Sequence, residues 1–267
     1  MQIPKQSADA YAAAVDSQAD EAARRMRAFL STLDFSGGYE ERKAARDEAM
    51  EFFKELVSVY GDAAATLAAD FYEELAEAAG EAVPPAVLAE SAGEQSVESS
   101  VRYAARNLFG QQASAAAFAD AMDAALRRYV KKMANDTVSR NAVRDGARHG
   151  VKFARVPTGA ETCAFCIMLA SRGFVYASEK TAGEFDHFHD NCDCKVVAGF
   201  GDDAGIEGYD PDAYLDYYYS HVRYDEYGHV RVEDTVNSMR RDLYPQIRDK
   251  RNARRRELYK ARKDAEG

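Results

Sequence analysis

The sequence contains no apolar run long enough to cross a lipid bilayer, for which about 18 or more consecutive apolar residues are needed. The segment from Met1 to Ser7 also lacks the basic and then apolar pattern of a secretory signal. These two absences predict neither membrane insertion nor export, and we expect no membrane partner.

Cysteine is scarce: the chain has 4 cysteines in 267 residues, and all of them fall between residues 155 and 200. Because a chain without a leader is expected in a reducing compartment, its thiols should be reduced when it is synthesised. This favours metal binding over disulfide bonds. Disulfide pairing and buried thiols without a metal are the alternatives.

The charge balance is acidic, with a formal net charge of -10. Such a charge argues against broad, non-specific nucleic-acid binding by the molecule as a whole, but it does not exclude local basic patches. Hydrophobic residues make up 46% of the chain, which excludes wholesale disorder and supplies a core. A length of 267 residues is enough for one large or two modest domains.

The first 150 residues have the pattern of a helical bundle. Apolar residues recur every three or four positions, which predicts amphipathic helices over residues 8–33, 40–79, 96–109 and 114–148. The second helix is predicted to end before Pro84 and Pro85, because proline disfavours helical geometry in the residue before it. Gly61 lies inside the second apolar stripe and predicts a kink or a break. We interpret the stripes as the core faces of the bundle.

After Gly150 the helical period gives way to short apolar runs at residues 151–156, 174–176 and 195–200, which predict strands. So small a segment rarely builds a core of its own and usually needs a metal, a disulfide or a neighbouring domain. The predicted fold class is therefore mainly α. A helical domain spans residues 1–150, a small zinc-stapled α+β module spans 151–200, and an acidic, tyrosine-rich linker with a basic C-terminal helix spans 201–267.

The cysteines form two clusters with the spacing of a zinc site. Cys163 and Cys166 make a C-x2-C pair, and His189, Cys192 and Cys194 make an H-x2-C-x-C cluster, with 22 residues between Cys166 and His189. These five residues compete for four places around a structural zinc ion, and the spacing leaves open which of Cys192 and Cys194 joins His189. Four protein ligands leave no position for a reactive water, which disfavours catalysis.

Two enzyme classes are alternatives to this structural interpretation. A zinc deaminase needs an upstream His-x-Glu, but His149 is followed by Gly150 and Val151, so the required carboxylate is missing. A metal-dependent nuclease, or another nucleic-acid-modifying enzyme built on residues 151–200, would need a second catalytic cluster. His187 and Asp190 are available for one, but no accompanying motif is present. We assign no catalytic residue and expect that the protein is not an enzyme.

The C-terminal 67 residues change from acidic to basic. Residues 201–219 hold six acidic side chains, no basic ones and five tyrosines, which indicates a polar linker or docking strip. A basic helical segment follows, with candidate contacts to DNA or to an acidic partner at Arg248, Lys250, Arg251, Arg254, Arg255, Arg256, Lys260, Arg262 and Lys263. A solvated helix face is the alternative.

The cysteine region carries a family resemblance. Its segments Arg155-Val156-Pro157, Thr162-Cys163-Ala164-Phe165-Cys166, Leu169-Ala170-Ser171-Arg172-Gly173, Val175-Tyr176 and Phe188-His189-Asp190-Asn191-Cys192-Asp193-Cys194 resemble the signature block of MuF-like phage minor head proteins, also called head morphogenesis proteins. The resemblance covers residues 140–200. Within it the cysteines and His189 are motif positions to which no catalytic role is attached.

The resemblance implies a structural component of a phage or prophage virion. It implies a place inside the head near the portal vertex, contacts with the portal and with other capsid or scaffold proteins, and a role in head assembly that can extend to DNA ejection. Before assembly the protein would be in the cytoplasm of the bacterial host. A host cytosolic zinc-binding adaptor is the alternative that involves no virion.

Overall fold

The computed structural model describes residues 1–110, 112–159, 162–176, 192 and 194–266, and toward the C-terminus it describes side chains up to residue 246 and at 248, 249, 252, 253 and 256. The fold is mainly helical with a small amount of sheet, as the sequence predicts. The chain forms two compact units. The first contains residues 1–158 and 174–209, and the second contains residues 159–173 and 210–267.

Three long helices build the first unit: α1 (Lys5–Leu30), α2 (Tyr39–Ala78) and α4 (Ala115–His149), with α3 (Glu94–Ala104) and a 3₁₀ turn (Ala105–Leu108) between the last two. All four helices predicted for this region are present, with ends shifted by a few residues. The long helices pack on one another through their apolar stripes. Many of the buried positions are alanines, which let helix backbones approach closely: Ala8, Ala12, Ala19, Ala22, Ala23, Ala49, Ala64, Ala65 and Ala68.

The sequence allowed for a break at Gly61, but the second helix, α2, is continuous from Tyr39 to Ala78. A Cβ atom added to Gly61 would lie 3.0 Å from Cγ of Met133 on α4. The glycine therefore marks a close approach of α2 and α4. Gly150 has a φ of 61° and ends α4 in the left-handed conformation that favours glycine.

A two-stranded antiparallel ribbon packs against α4 in the same unit. It consists of β2 (Val151–Pro157) and β3 (Cys194–Phe200), paired so that Arg155 lies opposite Val196 and Pro157 opposite Cys194. The predicted strand at residues 174–176 is limited to a single bridge between Tyr176 and Phe153 among the described residues. Two shorter strands, β1 (Gln2–Ile3) and β4 (Gly205–Ile206), pair in parallel.

The second unit is helical. Its elements are α5 (Ala164–Ala170), α6 (Pro211–Ser220) and α7 (Val232–Glu266), and α5 packs against both of the others. The α6 helix lies where the sequence indicated a linker or docking strip. It begins there because Asp210 caps the helix by accepting from the backbone N–H groups of Asp212 and Ala213, and Pro211 suits the first turn.

None of the helices in the described ranges has the length and apolarity that a bilayer crossing requires. The predicted division at residues 150 and 200 stays a prediction.

Candidate metal centre

The start of β3 brings two cysteine sulfurs together. Cys194 is the first residue of the strand, and Cys192 lies two residues before it. Residues i and i+2 of an extended chain point to the same side, so a C-x-C spacing is compatible with two thiols that face one ligand. Their Sγ atoms are 3.3 Å apart, and both residues are buried. The C-x-C spacing therefore does not force a choice between the two cysteines as ligands.

Arg155 lies on the same side of the ribbon. Side chains directly opposite each other in an antiparallel pair share a face, so Arg155 and Val196 point the same way as Pro157 and Cys194. The Arg155 guanidinium donates from Nη2 to Cys192 Sγ at 3.6 Å, and the residue is 1% exposed. This buried cation therefore places a positive charge beside the two sulfurs.

The opposite side of β3 fixes the strand to the helices. Lys195 points away from the cysteines, and its Nζ donates to Asp16 Oδ1 on α1 at 2.9 Å. Lys131 of α4 contacts the same oxygen at 2.8 Å. Burial by itself would raise the pKa of Asp16, but the charge of Lys195 and the hydrogen bonds from both lysines outweigh it, so the pKa is lowered.

Asn135 of α4 pairs with the outer edge of β3. Its Oδ1 accepts from the N–H of Val196 at 2.7 Å, and its Nδ2 donates to the carbonyl of Cys194 at 3.5 Å. The amide thus takes the place of a neighbouring strand for these two backbone groups. Both Asn135 and Lys195 hold the backbone that carries the sulfur pair, and neither was singled out from the sequence.

The C-x2-C pair lies in the second unit at the start of α5. Cys163 is the N-cap residue, and its Sγ accepts from the backbone N–H of Cys166 at 3.2 Å. Cys166 is buried, while Cys163 is half-buried. A turn in which the first sulfur accepts from the second cysteine's N–H brings the two side chains to one side, which is the local geometry that the spacing predicts.

The donor set fits a thiophilic metal. Cys192 and Cys194 offer two buried sulfur ligands in the first unit, and Cys166 offers a buried sulfur ligand in the second. Tetrahedral zinc with Zn–S bonds of about 2.3 Å places its sulfurs about 3.8 Å apart, so the pair at 3.3 Å needs only a small adjustment. Cys166 and Cys194 are in the disulfide state, which Cys163 and Cys192 are not. Metal and disulfide are alternative states of the same sulfurs, so metal binding requires reduction.

Comparison with known families identifies a family model that matches the chain. A family model described as VG15 protein matches residues 2–221. The chain belongs to the VG15 family. This is a phage-associated family. No curated protein and no solved structure matches the chain. The matched span includes all four cysteines, Arg155 and α6, and it ends before α7 begins.

The structure of this VG15 family member describes only some of the other residues that the sequence predicts for a site. His187, His189 and Asp190 lie outside the described residues. The basic segment is helical throughout, as part of α7. Arg248 and Arg256 are exposed on it, and Arg248 contacts Asp249 at 3.2 Å. The side chains of Lys250, Arg251, Arg254, Arg255, Lys260, Arg262 and Lys263 lie outside the described set.

The tyrosines of α6 in this VG15 family member have a partner within their own unit. The Tyr217 hydroxyl donates to Asp242 on α7 at 2.7 Å, and the His221 ring lies 3.6 Å from the same carboxylate. Burial and the hydrogen bond to Asp242 raise the pKa of Tyr217. Tyr219 stays 62% exposed. The tyrosine-rich segment thus packs in part against the last helix.

Proposed function

We propose that the protein is a structural minor capsid protein of a phage or prophage head, of the MuF-like head morphogenesis type. The observation that carries this proposal is the match of residues 2–221 to the phage-associated VG15 family. The resemblance of residues 140–200 to the MuF-like signature block supports the finer assignment. In this role the protein lies inside the head near the portal, contacts portal and capsid or scaffold proteins, and aids head assembly and DNA ejection.

The cysteine region serves this function as a structural zinc centre. Its ligands come from Cys163, Cys166, His189, Cys192 and Cys194. Two local geometries support the proposal: the sulfurs of Cys192 and Cys194 face each other, and a tight turn joins Cys163 and Cys166. Each arrangement brings two thiolates, which are common zinc ligands, to one side of the chain. When bound, zinc would supply structural cross-linking of short segments rather than reactive chemistry.

A purely structural role also follows from the proposed coordination. A zinc ion held by four protein ligands has no open position at which water could become a nucleophile. We therefore assign no catalytic residue to the protein. The solvent-open metal of a nuclease would instead leave a water or a substrate phosphate in the coordination sphere.

The test of the proposed function is the location of the protein in particles. Purified phage particles, or particles from an induced prophage, should contain the protein by mass spectrometry at a few copies per portal. Chemical crosslinks from intact particles should join it to the portal protein. The lysate from the same cells, depleted of particles, is the matched control.

Two results would overturn the proposal. Recovery of the protein only in the particle-free lysate would favour a cytosolic zinc-binding adaptor. Metal-dependent cleavage of DNA by the purified protein, abolished by substitution of the cysteines, would favour the nuclease.

A further inference from the structure

We propose that Arg155 is the positioning residue of the metal centre: its buried guanidinium balances the negative charge of the cysteine ligands and orients Cys192 Sγ toward the metal. This inference rests on the proposed zinc centre and goes beyond its ligand set. Arg155 and the two cysteines that it serves all belong to the first unit.

The first step concerns charge. A zinc ion bound by three or four thiolates has a net negative charge, because the thiolates outnumber the two positive charges of the metal. Burying such a centre is unfavourable unless a cation or hydrogen-bond donors lie beside it. Arg155 supplies both, since its side chain is 1% exposed and its Nη2 donates to Cys192 Sγ at 3.6 Å.

The second step concerns placement. The register of the ribbon sets Arg155 opposite Val196 and Pro157 opposite Cys194, so the arginine lies one position along the same face as the sulfur pair. A strand position fixes the guanidinium more rigidly than a loop position would. The ribbon thus presents sulfur from one strand and positive charge from the other to a single side.

The third step separates Arg155 from an ordinary buried cation. Lys195 is equally buried and lies on the same ribbon, but it points to the opposite side, where Asp16 accepts from it at 2.9 Å. The two faces of β3 therefore place a cation beside different anions, a carboxylate on one side and sulfur on the other. Arginine suits the sulfur side because its planar fork stays charged and donates in fixed directions.

The experiment measures zinc affinity of the full-length, reduced chain by competition with a chromophoric chelator. Arg155→Met is expected to weaken zinc binding by about 10- to 100-fold, the usual effect of removing a group that supports metal ligands. Arg155→Lys keeps a cation without the fork and should give an intermediate affinity. Lys152→Met removes a cation from the far end of the same ribbon, where Lys152 contacts Asp202 at 3.0 Å, and should leave the affinity of the folded protein unchanged.

The outcomes distinguish this inference from the proposed centre. Wild-type protein that binds no stoichiometric zinc removes the centre and the inference with it. Wild-type protein that binds zinc while folded Arg155→Met binds it equally well overturns the role of Arg155 and leaves the centre intact. If Arg155→Met does not fold, Arg155→Lys decides the matter, because wild-type affinity in that variant overturns the orienting contact.

Discussion

Lys195 Nζ lies 2.9 Å from Asp16 Oδ1, and the lysine side chain has no exposed surface while that of Asp16 is 37% exposed. The pair joins β3 to α1, two elements far apart in the sequence. The two side chains differ in the contacts that would remain if the other were removed. Asp16 would keep Lys131 at 2.8 Å and some contact with water, whereas Lys195 would stay fully buried.

This asymmetry predicts unequal effects of substitution on the free energy of unfolding. Asp16→Ala should destabilise the protein by about 3 kcal/mol or more, because it leaves a buried cation without this carboxylate. Lys195→Met should cost clearly less, because a chain of similar length fills the space and Asp16 keeps its second lysine. Urea denaturation measures both. If the double variant is no more stable than Asp16→Ala alone, the buried lysine is not the source of the cost.

The long helices and the metal-ligand candidates could be predicted from the sequence, but the groups that surround them could not. The α1, α2 and α4 helices are visible because their apolar residues repeat with the helical period over many turns. Arg155 and Lys195 are basic residues within apolar runs, and nothing in the sequence shows that one faces sulfur and the other a carboxylate. That distinction depends on the ribbon register, which is a tertiary property.

The α6 helix escaped prediction for a different reason. Its residues are mainly tyrosine and aspartate, which have low helix propensity and no clear apolar stripe. The decisive signals were local: Asp210 as the N-cap and Pro211 in the first turn. The predicted break at Gly61 was wrong, because a glycine that permits close helix packing looks the same in sequence as one that breaks a helix.

Acid should weaken the first unit in a defined range of pH. The Asp145 carboxylate accepts from the Tyr72 hydroxyl and from Arg144 Nη2, each at 2.7 Å. Burial alone would raise the pKa of Asp145, but the hydrogen bonds from Arg144 and Tyr72 outweigh it and lower the pKa. A carboxyl whose folded-state pKa is lowered stabilises the fold above its unfolded-state pKa of about 3.9, and this contribution is lost as pH falls through the folded-state pKa.

We therefore expect the contribution of Asp145 to the free energy of unfolding to be constant from neutral pH to about pH 5 and to decrease below about pH 4. Urea midpoints measured across this range test the expectation. Asp145→Asn should lower stability at pH 7 and show a shallower acid loss than wild type. An identical acid profile in the two proteins would mean that Asp145 is not responsible.

Asn141 of α4 holds the connection between α2 and α3. Its Oδ1 accepts from the N–H of Val87, and its Nδ2 donates to the carbonyl of Val87, each at 2.9 Å. Asn141 has no exposed surface. Asn141→Ala removes both bonds and leaves backbone groups in need of partners, so we expect a loss of about 2 kcal/mol in unfolding free energy.

Asn141→Asp is the matched variant for this position. It keeps an acceptor for the Val87 N–H but places a second acceptor against the Val87 carbonyl. It should therefore be at least as destabilising as alanine, and amide hydrogen exchange should rise at residues 86–90. Wild-type stability in both variants would show that the two hydrogen bonds contribute nothing.

Removal of the proposed zinc should melt the cysteine region. Zinc binding in small structural sites is worth on the order of 10 kcal/mol, so a strong chelator should lower the melting temperature of reduced protein by at least several degrees. The variant Cys166→Ser/Cys192→Ser should bind no stoichiometric zinc and should not respond to the chelator. The expectation is wrong if elemental analysis finds no zinc in the wild type and the chelator leaves its melting unchanged.

The basic end of α7 is expected to bind DNA without sequence preference. Residues 248–263 contain nine lysines and arginines, and clustered cations release counterions when they meet phosphates. Deleting residues 246–267 should abolish a mobility shift that weakens as salt is raised. A full-length variant with the nine basic residues changed to glutamine keeps the length of the helix and should lose the shift as well. A shift that survives in this variant would place DNA binding elsewhere in the chain, and the absence of any shift with the wild type would favour a solvated helix face.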